Sequence, residues 1–170
     1  MSRLKEIYQK EIVPKMKEIF GYQNNLAVPK IEKITINIRL GEILKKKDPK
    51  IAETAKETLL KITGQRPIET KAKKSISGFK IKKGQIVGLK LTLRKERMYD
   101  FLDKLINIVL PRTRDFRGIS LTSLDQRSNL SLGFKEQLAF PEISAEAVEK
   151  IHGLQLTITT TTKNREEGLQ

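Results

Sequence analysis

Residues 31–40 read IEKITINIRL, and they alternate along their whole length. Ile34, Ile36, Ile38 and Leu40 fall on one side of an extended chain, and Lys33, Thr35, Asn37 and Arg39 on the other. Successive side chains of a strand point to opposite faces, so this pattern predicts a strand buried on one face only. Residues 86–94, IVGLKLTLR, repeat it, with Leu89, Leu91 and Leu93 inward and Lys90, Thr92 and Arg94 outward. Strands half-buried in this way belong to antiparallel sheets, because parallel sheets are covered on both faces and read as continuous apolar runs.

Helical spacing surrounds these strands. Leu4, Ile7, Tyr8, Ile12, Met16, Ile19 and Phe20 recur at a helical period up to Gly21, with Pro14 marking a kink or a second start. Ile51, Ala55, Leu59 and Ile62 trace a second helix, with Gly64 as its left-handed cap. A third, over about 96–109, buries Met98, Phe101, Leu102, Leu105 and Ile106 and is expected to end at Pro111. Residues 112–135 carry no long period and read as loops with one or two short strands. Ser144 is expected to cap a short helix through Ile151, ended by Gly153, and LQLTITTTT (154–162) reads as a final β-branched strand. The pattern predicts one α+β domain over residues 1–170, an antiparallel β-sheet with helices packed on one face.

The chain has 170 residues, 38% hydrophobic and 32% charged, with a formal net charge of +14. That excess is uneven: from Glu69 to Arg97 there are ten Lys or Arg against two Glu, a net of +8. Within it, TKAKKSISGFKIKKG (70–84) holds six lysines and no carboxylate. Such a segment repels itself unless a polyanion offsets it, so residues 70–86 are expected to form a protruding basic loop. There is no cysteine, which excludes disulfides and thiolate chemistry. No apolar run approaches the roughly 20 residues of a membrane span, and MSRLKEIYQKEI mixes charge and hydrophobe too early for a signal peptide. A soluble, cytoplasmic protein without membrane contact is the expectation.

Catalysis finds no support. His152 is the only histidine and is expected to act as a cation at a helix end. There is no GxSxG, and Gly78 to Gly84 has the wrong spacing for a phosphate loop. Asp115, Asp125, Glu166 and Glu167 sit beside arginines or at the chain end and read as surface ion pairs. No catalytic residue, metal site, cofactor or small-molecule substrate is expected.

The outward face of the two strands is more informative. Lys33, Arg39, Lys90 and Arg94 are all cationic, with Thr35, Asn37 and Thr92 between them. Lys and Arg meet phosphates, while Thr and Asn bond sugars and base edges. Such a face suits RNA, whose 2′-hydroxyl adds partners, over a merely solvated surface. Aromatics are only 5% of the chain and none lies on that face, which argues against base stacking along single strands. Folded RNA, read by backbone and shape, is the favoured target.

The stretch from Gly64 to Ser120, GQRPIETKAKKSISGFKIKKGQIVGLKLTLRKERMYDFLDKLINIVLPRTRDFRGIS, resembles the bacterial type of large-subunit ribosomal protein five. VPKIEKITINI, KEQLAFPEI and GLQLTITTTT extend the resemblance over nearly the whole chain. It implies a non-catalytic structural protein of the large subunit that binds 5S rRNA and docks it onto 23S rRNA in the central protuberance. Carried over by motif, the 5S rRNA contacts are Lys33, Asn37, Gln65, Thr92 and Arg94. The lysine-rich loop resembles one that reaches P-site tRNA, which implies contacts from Lys71, Lys73, Lys74, Ser75, Ser77, Lys80, Lys82 and Lys83, with Gly78 and Gly84 permitting the bends. Arg112, Arg114, Asp115 and Arg117 of PRTRDFRG are candidates for contact with a small-subunit head protein across the interface. Other central-protuberance proteins are further implied partners, and an RNA chaperone on the same fold is the rival reading.

The sequence departs from the family pattern at particular places. Arg39 and Lys95 stand where glycine is common, and LDQRSNLSLG replaces the usual FDGRGNYSLG, so Ser128 occupies a glycine position. Family members also continue past NREEGLQ into a last helix, whose covered surface is here expected to be solvated or covered otherwise.

Overall fold

The computed structural model describes residues 2–40, 49–114, 116–143, 151–162 and 164–169. Five strands, β1 (Ile31–Arg39), β2 (Ile68–Lys71), β3 (Ile86–Leu93), β4 (Leu130–Phe134) and β5 (Leu154–Thr160), form one sheet in the order β2-β3-β1-β5-β4. β2 and β3 pair antiparallel. The Leu40 N–H donates to the Val87 carbonyl, so the end of β1 meets the start of β3. The Thr161 N–H donates to the Lys30 carbonyl, so the start of β1 meets the end of β5. Ser131 of β4 lies 3.4 Å from Thr157 of β5, hydroxyl to hydroxyl, and the sheet is antiparallel throughout. The α+β expectation holds.

Contacts divide the chain into two compact units. The first comprises Met1–Thr35, Thr92–Leu132 and Leu156–Gln170, the second Ile36–Leu91 and Gly133–Gln155. β1, β3, β4 and β5 each contribute residues to both.

In the first unit the chain opens with α1 (Arg3–Ile7), a π turn (Tyr8–Ile12) and α2 (Val13–Phe20). Gly21 closes α2 in the left-handed conformation, its N–H on the Lys17 carbonyl. The kink or second start expected at Pro14 takes the form of a π turn before it, with Pro14 in the first turn of α2. Proline lacks the N–H and its ring crowds the carbonyl four residues back; an extra residue in the preceding turn relieves both. The same device recurs in α4 (Lys95–Lys104), a π turn (Leu105–Val109) and α5 (Leu110–Arg112). Pro111 was expected to end that helix; the π turn instead carries it to Arg112. Ile34, Leu93, Met98, Phe101, Leu105, Leu156 and Ile158 are buried here, while Ile106, expected in the core, is 47% exposed.

In the second unit α3 (Pro49–Thr63) buries Ala52, Ala55, Leu59 and Ile62. Gly64 caps it at φ 65, its N–H donating to the Leu60 carbonyl at 2.8 Å. Ile36, Ile38, Leu89, Leu91 and Leu154 supply the buried face of the sheet. Burying that stripe of α3 and one face of the strands excludes water from both apolar surfaces, which is the main favourable term in the fold. Gly88 has a nonlocal reason: a Cβ there would collide with the Ile38 carbonyl oxygen.

The KEQLAFPEI stretch is structural. Gln137 is 1% exposed and its Oε1 accepts the His152 N–H at 2.6 Å, while Phe140 stacks edge-on against Phe134. His152 is thus buried rather than an exposed cation at a helix end. Residues 144–150 lie outside the described residues, and so do Ser144 and Gly41; Ile151 is in no helix. Gly153 is not a left-handed cap: a Cβ on it would come within 2.9 Å of the Phe134 carbonyl. A final helix, α6 (Arg165–Leu169), has no counterpart in the sequence reading.

Candidate nucleic-acid interface

The strand register sets the outward face. Counted back from the Leu40–Val87 bond, Ile38 lies opposite Leu89, both buried, and Asn37 opposite Lys90 on the other face. In the second unit that face therefore carries Asn37 and Arg39 of β1 and Lys90 of β3. β2 adds Ile68, paired with Lys90, and Thr70, paired with Gly88. Sequence reasoning missed these two, because β2 is too short to show alternation. In the first unit Lys33 and Thr35 alternate with the buried Ile34 of β1, and Thr92 and Arg94 flank the buried Leu93 of β3. Arg94 is fully extended at the N-terminus of α4. Among the described residues Lys33 is the one cation of the set with an ion pair, half-exposed and 3.7 Å from the exposed Glu32, an arrangement worth little in water.

β5 extends the face with Gln155 in the second unit and Thr157 and Thr159 in the first. Their alternation with Leu154, Leu156 and Ile158 was present in LQLTIT and could have identified them. Gln65, the fifth candidate, is not on a strand; it follows the Gly64 cap, its N–H on the Thr63 hydroxyl.

The basic segment is an ordered hairpin. β2 ends at Lys71 and β3 begins at Ile86, with a register shift between Thr70 and Lys71. The ladder continues beyond: the Ala72 N–H donates to the Gln85 carbonyl, and Ile76 and Ile81 exchange both backbone bonds. A 3-10 turn, Ser77–Phe79, forms the tip and Lys80 closes it at φ 53. The left-handed residues are Lys80 and Gly84, at φ 84, whereas Gly78 keeps an ordinary φ. The Ser75 hydroxyl accepts the Lys83 N–H at 3.0 Å, so this serine braces the hairpin. Lys71, Lys73, Lys74, Lys80, Lys82 and Lys83 are all exposed, as is Ser77, and Phe79 at the tip is 61% exposed. Backbone bonding holds six like charges on one narrow element, an arrangement that a polyanion relieves.

Arg112, the last residue of α5, and Arg114 and Arg117 beyond it are exposed; Asp115 lies outside the described residues. Among the described residues no cluster of His, Cys, Asp or Glu could hold a metal ion, and no helix is long and apolar enough to cross a membrane.

Comparison with known proteins identifies the family of the chain. Residues 24–82 match the family described as ribosomal protein L5, and residues 86–170 match the C-terminal region of that same ribosomal family. A large ribosomal subunit protein uL5 from Caldanaerobacter subterraneus is 55% identical over 99% of this chain and 93% of the relative. Those of Carboxydothermus hydrogenoformans and a Thermoanaerobacter species are 53% and 54% identical with the same coverage.

Proposed function

The chain belongs to the ribosomal L5 protein family, a structural constituent of the large ribosomal subunit and not an enzyme, and from that premise we propose that it binds 5S rRNA through the outward face of its sheet. Its place is the cytoplasmic ribosome and its partners are ribosomal RNA and ribosomal proteins. The observation that carries the finer reading is the sign of that face: among the described residues Arg39, Lys90 and Arg94 form no ion pair with a carboxylate, and Asn37, Thr35 and Thr92 alternate with them.

On this reading Lys33, Asn37, Thr92, Arg94 and Gln65 contact 5S rRNA, and the protein docks it onto 23S rRNA in the central protuberance. Lys and Arg carry the phosphate attraction; Asn37 and Thr92 supply directional bonds to sugars or base edges. The hairpin lysines are proposed to meet P-site tRNA, and Arg112, Arg114, Asp115 and Arg117 a small-subunit head protein. On the same reading residues 1–170 are a single RNA-binding domain, alongside other central-protuberance proteins.

The test is binding of the purified protein to its own 5S rRNA against excess tRNA across a salt series. A preference for 5S rRNA that survives rising salt supports specific contacts beneath the counterion-release term. Equal affinity for both RNAs, fading together with salt, overturns the 5S assignment and leaves a general RNA chaperone.

A further inference from the structure

Phe79 is the most exposed phenylalanine of the chain, at 61%, whereas Phe101, Phe134 and Phe140 are buried. It sits at the tip of the basic hairpin in the second unit, in the 3-10 turn Ser77–Phe79. A Cβ on the neighbouring Gly78 would meet nothing within 4 Å, so the tip is open on that side. A ring left this exposed forgoes most of the stabilisation that burial in the core would give it. The turn that carries it is nevertheless fixed. Ile76 and Ile81 exchange both backbone bonds beneath it, and the Lys80 N–H donates to the Ser77 carbonyl at 3.0 Å. A ring presented on an ordered turn has little freedom left to lose on contact.

The surroundings of the ring bear on its partner. Lys73, Lys74, Lys80, Lys82 and Lys83 are exposed on the same hairpin, and residues 70–84 hold no carboxylate. Membership of the large subunit makes RNA the polyanion these lysines meet. An ammonium holds a phosphate but does not read a base, whereas a flat aromatic ring lies against the face of one. Phosphates and a free base face occur together where a folded RNA leaves a base unpaired in a loop or bulge. A continuous duplex offers the same phosphates with its base faces covered. One ring at a tip suits one such base, not a run of stacked bases along a strand.

We propose that Phe79 stacks on one unpaired base of the RNA that the hairpin lysines hold, so that the tip distinguishes looped from fully paired RNA. The inference rests on the reading of the hairpin as a tRNA contact. The chain has no tryptophan, so Phe79→Trp in the full-length protein puts a single fluorophore at the tip, and stacking on a base quenches it. Titrations use tRNA, 5S rRNA and a blunt RNA duplex with as many phosphates as the tRNA. The expected result is quenching by tRNA and binding of the duplex without quenching. Phe79→Ala and Phe79→Leu should each weaken tRNA binding about tenfold and leave its salt slope unchanged, because no charge is removed. Phe79→Tyr, which keeps the ring, should bind as the parent does. Absence of quenching with every RNA, equal quenching by duplex and tRNA, or full affinity in Phe79→Ala would overturn the stacking. Full affinity in Phe79→Leu would overturn it too, since an apolar plug needs no ring. Quenching by 5S rRNA alone would support the stacked base and overturn the tRNA assignment. If Lys73→Ala with Lys74→Ala changed neither tRNA affinity nor its salt slope, the hairpin reading itself would fall.

Discussion

Gly168 of α6 lies against the side chain of Ser128, so close that a Cβ on the glycine would overlap the serine Cβ and Oγ. Ser128 is 2% exposed, and its hydroxyl donates to the carbonyls of Asn164 at 3.1 Å and Arg165 at 3.4 Å. One side chain thus holds the entry to α6 and fills the space a side chain at residue 168 would need. Gly168→Ala should cost about 1–3 kcal/mol by overpacking. In a Ser128→Gly background the same substitution should cost far less, because the space is vacated. Denaturant unfolding of both single variants and the double variant reads the coupling; additive losses would mean α6 is not held this way.

Lys95 sits at φ 55 at the start of α4, a position where the family resemblance expects glycine, and Ser128 at φ 56 is another. In both, the backbone holds the left-handed conformation that glycine adopts without a steric penalty. A left-handed residue with a Cβ carries strain of about 1 kcal/mol. Lys95→Gly should therefore stabilise the fold by roughly that amount, seen as a higher urea midpoint with an unchanged slope. Ser128→Gly should gain less or lose, because it also forfeits two hydrogen bonds.

At Gly88 the close neighbour is backbone, the Ile38 carbonyl oxygen, with the Thr70 hydroxyl 3.1 Å from the same point. A backbone oxygen cannot rotate away as a side chain can. Gly88→Ala should cost more than about 2 kcal/mol, lowering Tm without changing the net charge. Circular dichroism melting of the free protein checks it.

The strands and their faces were legible because the alternation of IEKITIN, LKLTLR and LQLTIT survives burial of one side. The cationic face of the candidate site came from the same alternation. β2 was not legible: IETK is too short to show a period, so Ile68 and Thr70 went unassigned. The π turns at Tyr8–Ile12 and Leu105–Val109 have no signature of their own beyond the proline that follows. The reasons for Gly88, Gly153 and Gly168 lie in residues far along the chain, which no local reading reaches. Six lysines advertise a loop, whereas the pairing of Ile76 with Ile81 that orders it is a single contact.

Asp125 organises the turn before β4. Its Oδ2 accepts the Asn129 side-chain amide at 2.7 Å, and its Oδ1 accepts the N–H groups of Asn129 and Arg127, both at 2.8 Å. Bonds from the Asn129 side chain, then from its backbone, hold the Asp125 carboxyl below its ordinary value of 3.8. The folded state therefore binds this proton less readily than the unfolded chain. Its contribution to stability is present above pH 3.8 and is lost as the pH falls through the lower, folded value. Asn129→Ala should move the Asp125 titration upward, toward the ordinary carboxyl range. Carboxyl-carbon NMR across acid pH reads the shift; an unmoved midpoint would mean the side-chain bond does not hold the charge.

Lys90 and Asn37 lie opposite each other on the outward face, yet they should fail differently when removed. A lysine at a phosphate releases counterions and contributes about one unit to the slope of log affinity against log salt. An asparagine bonded to a sugar or base contributes about 1–3 kcal/mol with no salt term. Lys90→Ala should flatten the salt dependence of 5S rRNA binding and weaken tRNA and 5S rRNA alike. Asn37→Ala should leave the slope intact and weaken 5S rRNA more than tRNA. Lys73→Ala with Lys74→Ala, on the hairpin, should spare 5S affinity and reduce only the tRNA contact. If all three changes lowered both affinities in parallel, sheet face and hairpin would be serving one RNA, and the division of labour proposed between them would be wrong.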